Sequence, residues 1–289
     1  MTITNKEWMI TLPSLTALTV FFVVPALIIF AYAFRTEGTF AGEEPGWSLH
    51  AIRSLSDVNY YFLIARTFLI SGLATIGCLL LAIPVGYQLA VISKRAAKAL
   101  IILFVLPFWT SFLIRIFAWK ILLHPEGYIK QILVFLHLAD PHSTLLYNQT
   151  AVLLVMIYTY IPFAIFPIYA AASKFNFQLI EAAMDLGASQ TKSFFKVFIP
   201  GVSKGIWTGA LMVFIATIGA YVIPDLIGGV NSEMIGNKIA GRIFVDQDLP
   251  QASALSLLLV AIVLLPLMIT TFISSFRPKR IEAEARNKE

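Results

Sequence analysis

The chain has 289 residues, of which 58% are hydrophobic and 13% charged, with a formal charge of +5 and a mean hydropathy of +0.82. A soluble domain carries about a quarter charged residues, so this composition excludes one and points to a lipid environment. The one cysteine, Cys78, lies in an apolar run, which excludes an internal disulfide and predicts a buried structural thiol.

Trp8 to Phe34 contains no charge. A bilayer-spanning helix needs about 20 apolar residues, so this run spans. Ala31-Tyr32-Ala33 imitates a signal-peptidase site. The run is longer than the apolar core of a signal peptide, about 7–15 residues, and only Lys6 supplies positive charge before it. It is expected to be retained, with residues 9–34 as the first of six spans.

Arg35 to Tyr61 is a mixed loop, and 62–92 is the second span, with Arg66 near its start and Pro84 inside it. Ser93 to Lys98 is a short basic turn. Residues 100–123 form the third span, which Pro107 is expected to kink, because proline removes a backbone donor. Arg115 and Lys120 lie near its far end, where long cationic side chains can reach the headgroups. His124 to Gln149 is a polar connection. Within it Tyr128 to Leu138 is apolar but too short to span, and reads as an interfacial helix. The fourth span is 150–173, with Pro162 and Pro167, and the fifth is 205–224. Asp225 to Gln251 is polar, 252–276 is the sixth span, and the charged tail from Arg277 is expected to fray. Nothing separates two soluble domains, so 1–289 is expected to be a single membrane domain.

Basic residues set orientation in the membrane. The N-terminus, the 93–98 turn, the 174–204 loop and the tail carry thirteen Lys and Arg, against five in the opposite loops. Both termini are therefore expected on the cytoplasmic side, and six crossings return the chain to its starting side.

The polar interruption at 174–204 stands apart. It is too long for a turn and too polar for a span, and it reads as two short helices. Asn176 can cap the first by accepting from its opening N–H groups. Leu179, Ala182, Ala183 and Leu186 fall at helical spacing on one face, with Glu181 and Asp185 on another. Gly187 can end that helix in a left-handed conformation. Ser189 can cap the second helix, and Pro200 is expected to stop it. An ordinary amphipathic interfacial helix is the alternative.

Glu181-Ala182-Ala183, three residues, Gly187, nine residues, then Val197-Phe198-Ile199-Pro200 resembles the EAA loop of ABC-importer permeases. Val197 and Ile199 replace that pattern's isoleucine and leucine. The resemblance implies an all-α membrane protein with the type I ABC importer permease fold. It implies that Glu181, Ala182, Ala183, Asp185, Gly187 and Pro200 belong to coupling helices that dock on a cytoplasmic ATPase. Physical reasoning agrees: two alanines let a partner approach closely, and one carboxylate gives a directional contact.

Several chemistries are missing. No G-x4-G-K-[ST] loop is present to cradle nucleotide phosphates, so no cofactor is expected and ATP is left to a partner. There is no H-E-x-x-H, no Cys/His cluster and no G-x-S-x-G. His50, His124, His137 and His142 are scattered through outer loops and suggest no metal site. The basic residues follow the membrane bias and form no nucleic-acid patch. Neither paired carboxylates nor a nucleophile–base spacing lies within the spans, so an enzyme is not expected.

The outer segments hold ten acids against five bases. A negative mouth attracts cations, although the orientation rule depletes outer loops of bases in any case. Tyr221 to Gly229, Met234 to Asn237 and Asp248 to Ala254 resemble the permeases of spermidine/putrescine importers, as does Leu106 to Ser111. The likeness is strongest to the first of the two permeases in such systems. It implies an inner-membrane location, a second permease, a cytoplasmic ATPase dimer and a periplasmic binding protein as partners, besides membrane lipid. A polyamine path needs a carboxylate for charge and aromatic faces for cation–π contact. Asp225 is the candidate anionic contact, with Tyr221 one turn away and Trp109 beyond Pro107 as aromatic wall or gate. The alternatives are a helix-ending aspartate and lipid-facing aromatics. A permease of the same type for another solute (iron(III), thiamine, an anion) is the competing reading. A secondary carrier is a further one, disfavoured because the spans hold few deep ionisable residues.

Overall fold

The structure, a computed structural model, describes residues 5–36, 46–137, 140 and 143–275. Glu37, Glu43, Glu44, His142 and the tail from Arg277 lie outside the described residues. The described elements are helices, with one isolated backbone bridge between Arg35 and Trp47. They divide into two compact units, residues 1–57 with 239–289, and residues 58–238.

In the first unit, α1 (Asn5–Leu18) passes through a wide turn at Thr19–Val23 into α2 (Val24–Tyr32). Pro25 explains the turn, because it has no N–H to donate and its ring crowds the carbonyl four residues back. Val24 N–H therefore reaches back five residues, to Thr19 O, as in other π turns. After α3 (His50–Ser54), the long helix Leu249–Ser275 packs on α2 and α3 through Ala33, Ala51 and Ala254. Small residues allow membrane helices this closeness.

The second unit is built on α4 (Val58–Val91), which buries Thr67, Ser71, Ala74, Cys78, Ala82 and Gly86 at spacings of three or four. Its other face exposes Leu69, Leu73, Ile76 and Leu80. A helix apolar on both faces belongs in lipid. There follow α5 (Lys94–Val105), α6 (Phe112–Leu122), α7 (Tyr128–Phe135) and α8 (Gln149–Ala172). Next come α9 (Gln178–Asp185), α10 (Gln190–Ser193), α11 (Ile199–Gly201) and α12 (Ser203–Ile218). The unit closes with α13 (Val222–Ile227) and the start of α14 (Ile235–Phe244). The core is α4 against α8 and α12. Cys78 is fully buried, and its Sγ–H donates to Ile157 O at 3.6 Å.

Thr11–Tyr32, α4 and α8 are each long and apolar enough to cross a membrane. Two bent pairs qualify if each counts as one span, Lys94–Trp109 with Phe112–Leu122, and Gln190–Gly201 with Ser203–Ile218. The final helix is 27 residues long.

Three expectations need correction. The third span is broken, with an 89° change of direction. Pro107 opens a 3-10 turn at Leu106–Trp109, and Thr110 and Ser111 then become extended. Thr110 Oγ1 donates to Pro107 O at 2.6 Å and holds the corner. The basic stretch at 94–98 is the first turn of α5, capped by Ser93, which accepts from Ala96 N–H. The fifth span ends at Ile218, at Gly219, and Asp225 lies in the first turn of the separate helix α13.

Candidate functional site

The 174–204 segment folds as the sequence suggests at its first helix. Asn176 Oδ1 accepts from Gln178 N–H at 3.1 Å. At the far end Gly187 has φ +87°. Ala188 N–H donates to Ala183 O at 3.0 Å and Gly187 N–H to Met184 O at 2.9 Å, the paired bonds of a Schellman ending. Ser189 Oγ accepts from Lys192 N–H at 3.3 Å and caps α10. Pro200 does not stop this second helix. The chain stays helical to Gly201 through a wide turn at Phe194–Phe198, where Ile199 N–H reaches back to Phe194 O. The wide turn again precedes a proline by one residue, as at Pro25. The 71° bend falls after Gly201, at Val202.

The Leu179, Ala182, Ala183 and Leu186 stripe of α9 is turned outward rather than into the core. Ile180 is the buried residue, at 6% exposure, whereas Leu179 is exposed and Leu186 is 91% exposed. Glu181, Ala182, Asp185 and Gly187 are exposed, and Ala183 is half-buried. Ala183, Leu186, Gly187 and Ala188 face Lys192 and Lys196 across a groove of about 280 Å³. The motif residues thus form a raised apolar ridge with a carboxylate at one end.

Beneath the ridge is a cluster that the motif does not announce. The Tyr87 ring, from α4, meets Phe177, Phe194 and Phe198 edge-on at 5.9, 5.3 and 4.9 Å between centroids. Phe175 meets Phe198 at 5.5 Å. Such edge-to-face pairs add to the stabilisation from burial alone. A Cβ on Gly201 would lie 2.3 Å from the Phe175 ring, so only glycine admits that ring. The signal was available, since Phe175, Phe177, Phe194, Phe195 and Phe198 crowd an otherwise polar loop.

The other candidate residues gather only in part. Asp225 N–H donates to Tyr221 O at 3.0 Å, and both side chains are exposed. The Tyr221 carbonyl also accepts from Asn237 Nδ2 at 2.9 Å, and Asn237 Oδ1 accepts from Met234 N–H. A Cβ on Gly236 would lie 2.6 Å from Ala220 O. Gly236 and Asn237 therefore lock the 220–221 corner that presents Asp225. Trp109 sits at the end of its 3-10 turn, 85% exposed, and among the described residues no hydrogen bond or ring contact joins it to Tyr221 or Asp225. The described residues contain no group of His, Cys, Asp and Glu able to hold a metal ion.

A helical unit with spans apolar enough for a membrane and an exposed two-helix ridge between α8 and α12 is the arrangement whose relatives the comparisons identify. Residues 78–281 match the family of binding-protein-dependent transport system inner membrane components, and the chain belongs to that family. It is 31% identical to the spermidine/putrescine transport system permease protein PotB of Escherichia coli K12, over 92% of this chain and 97% of that protein. The PotB of Haemophilus influenzae is 30% identical, over 98% and 99%. Among solved structures, a bacterial ABC transporter that imports the acidic polysaccharide alginate aligns with a TM-score of 0.70 at 17% identity, covering 95% of this chain and 98% of that one. The chain is thus a multi-pass inner-membrane component with the type I ABC importer permease fold.

Proposed function

We propose that this chain is a permease subunit of an ATP-driven importer of polyamines, spermidine or putrescine. It forms half of the solute path, binds no cofactor and hydrolyses nothing. Its partners are a similar second permease, a cytoplasmic ATPase dimer that binds the ATP, and a periplasmic binding protein. Both termini and α9 lie on the cytoplasmic side, in keeping with the charge bias. The observation that carries this reading is the exposed ridge of α9, apolar and unpartnered, on a base of packed rings. The full-length likeness to PotB permeases supports the solute.

In this reading Ala182 and Ala183 let the ATPase approach closely, and Glu181 and Asp185 give directional contacts. Gly187 ends the ridge, and the Pro200 region passes its movement to α12 across the bend. ATP-driven closure of the ATPases then shifts α12 against α4 and α8. Asp225 offers its carboxylate to an ammonium group, Tyr221 supplies the adjacent ring, and Trp109 adds a second aromatic face.

The test is uptake of labelled spermidine into vesicles holding the assembled transporter and binding protein, with Glu181→Ala as the variant. ATP-dependent uptake is expected in the wild type, with coupled uptake reduced roughly tenfold or more in the variant, the scale of one lost charged contact. Uptake by this chain alone, driven by an ion gradient, would overturn the proposal. Competition by iron(III) or thiamine but not by polyamines would move it to another solute.

A further inference from the structure

A groove of about 640 Å³ opens between the end of α6 and the start of α7. Phe117, Lys120 and Ile121 line it from α6, His124 and Glu126 from the turn, and Tyr128 from α7. The groove has a firm frame. Gln131 Nε2 donates to Glu126 O at 3.0 Å across the turn. Lys130 is 2% exposed, and its ammonium donates to Asp140 O, Ser143 O and Ser143 Oγ. With Lys130 held inward, α7 presents Tyr128, Ile132 and Phe135 outward at spacings of four and three. Phe117 and Ile121 are likewise exposed, so the groove is rimmed on both sides by apolar surface of the kind that faces lipid.

The groove carries opposite charges that form no ion pair among the described residues. Lys120 Nζ lies 5.9 Å from the centroid of the Tyr147 ring and forms no ion pair among the described residues. The Glu126 carboxylate has none either, although Glu126 N–H donates to His124 Nδ1 at 3.4 Å. That bond uses the lone pair of Nδ1 and leaves the ring proton on Nε2 as a donor. A cation, a ring N–H donor and a carboxylate between apolar walls match a molecule with a phosphate, a primary ammonium and hydrocarbon chains. We propose that this groove binds phosphatidylethanolamine. Lys120 and His124 hold the phosphate, Glu126 accepts from the ammonium, and the acyl chains run along Phe117 and Ile121. The site depends only on the chain's spanning a membrane, and it is independent of the solute carried.

Native mass spectrometry of the assembled transporter, released from mixed-lipid nanodiscs, tests this. Phosphatidylethanolamine is expected to be retained about tenfold over phosphatidylcholine, whose quaternary nitrogen cannot donate to Glu126. Glu126→Gln is expected to abolish that preference. Lys120→Gln is expected to weaken both lipids equally, again by about tenfold. Equal retention of the two lipids by the wild type overturns the proposal, and that comparison needs no variant to fold. A preference that survives Glu126→Gln overturns it too. Displacement by soluble phosphoethanolamine as effective as by the lipid would overturn the lipid as ligand. Unchanged lipid retention in Lys120→Gln, with weakened capture of the binding protein, would assign the groove to protein docking instead.

Discussion

The third span turns by 89° between α5 and α6, and the fifth by 71° between Gln190–Gly201 and α12. Both corners have a nearby proline, yet they are held in different ways. Behind the fifth-span corner, Phe198 and Val202 are fully buried against Ala172 and Ile180, with the rings of Tyr87, Phe175, Phe177 and Phe194 closing the space. At the third-span corner the Thr110 hydroxyl and N–H both donate to Pro107 O, Trp109 stands exposed, and the Arg115 guanidinium lies over the Phe108 ring at 4.4 Å. A corner packed from behind moves as one body, because packed side chains resist deformation. A corner held by the two donors of one threonine and one stacked cation can open more easily. On the proposed function, the first is the element that transmits force and the second a wall of the solute path.

The sharpest way to break this contrast is Phe198→Ala. It removes the ring that touches Tyr87, Phe175, Phe177 and Phe194. The expected loss is about 3–5 kcal/mol, as for other buried phenylalanines, read by thermal unfolding of the purified transporter. Trp109→Ala at the other corner should change stability by about 0.5 kcal/mol or less. Equal losses at the two corners would remove the distinction.

Gly201→Ala comes next. Its Cβ would press on the Phe175 ring, with a cost of about 1–3 kcal/mol from overpacking. Gly201→Ala combined with Phe175→Leu should recover part of that cost, since the leucine vacates the ring's edge. No recovery would mean that the strain lies in the backbone of the bend. Gly187→Ala is a smaller change of another kind. Nothing lies within 4 Å of its Cβ position, so the whole effect comes from φ +87°, about 1 kcal/mol. Gly187→Asn should cost less, because asparagine tolerates that region. If Gly187→Ala were harmless to folding and to ATPase capture, the Schellman ending would not be what positions the ridge.

What the sequence made legible follows from the range of the forces involved. Asn176, Gly187 and Ser189 act on backbone groups two to four residues away, so their spacing alone reveals their work. The spans announce themselves by length and apolarity. Ile180 could not be picked from α9 because Leu179, Ala182 and Leu186 give an equally good apolar stripe. Only packing against Ala172 of α8 and the rings of Tyr87, Phe177, Phe194 and Phe198 decides which face is inside. The third span's corner was hidden for a similar reason. A proline in an apolar run permits a kink or a break, and the choice falls to Thr110 and Ser111. The likeness over 221–237 was visible, but its basis was not, because Gly236 meets Ala220 only through tertiary contact.

Arg115 offers a small expected effect and the most telling sign. Its Nε and Nη1 are buried and have no hydrogen-bond partner among the described residues. Stacking on Phe108 and Phe112 returns about 0.5–2 kcal/mol, whereas unpaired buried donors cost about 1–3 kcal/mol. Arg115→Met keeps most of the volume and removes the unpaired groups. It is expected to leave the stability of the isolated chain unchanged or to raise it by about 1 kcal/mol. Phe108→Leu, which strips the stack but leaves the guanidinium, is expected to lower it by about 1 kcal/mol. Unfolding measured on the isolated chain and on the assembled transporter separates two meanings of these signs. Destabilisation by Arg115→Met in both would show that the corner is held more firmly than its contacts suggest. Destabilisation in the assembly alone would place an acceptor from a neighbouring subunit on those two N–H groups, and the loosely held corner would then be the one completed by a partner.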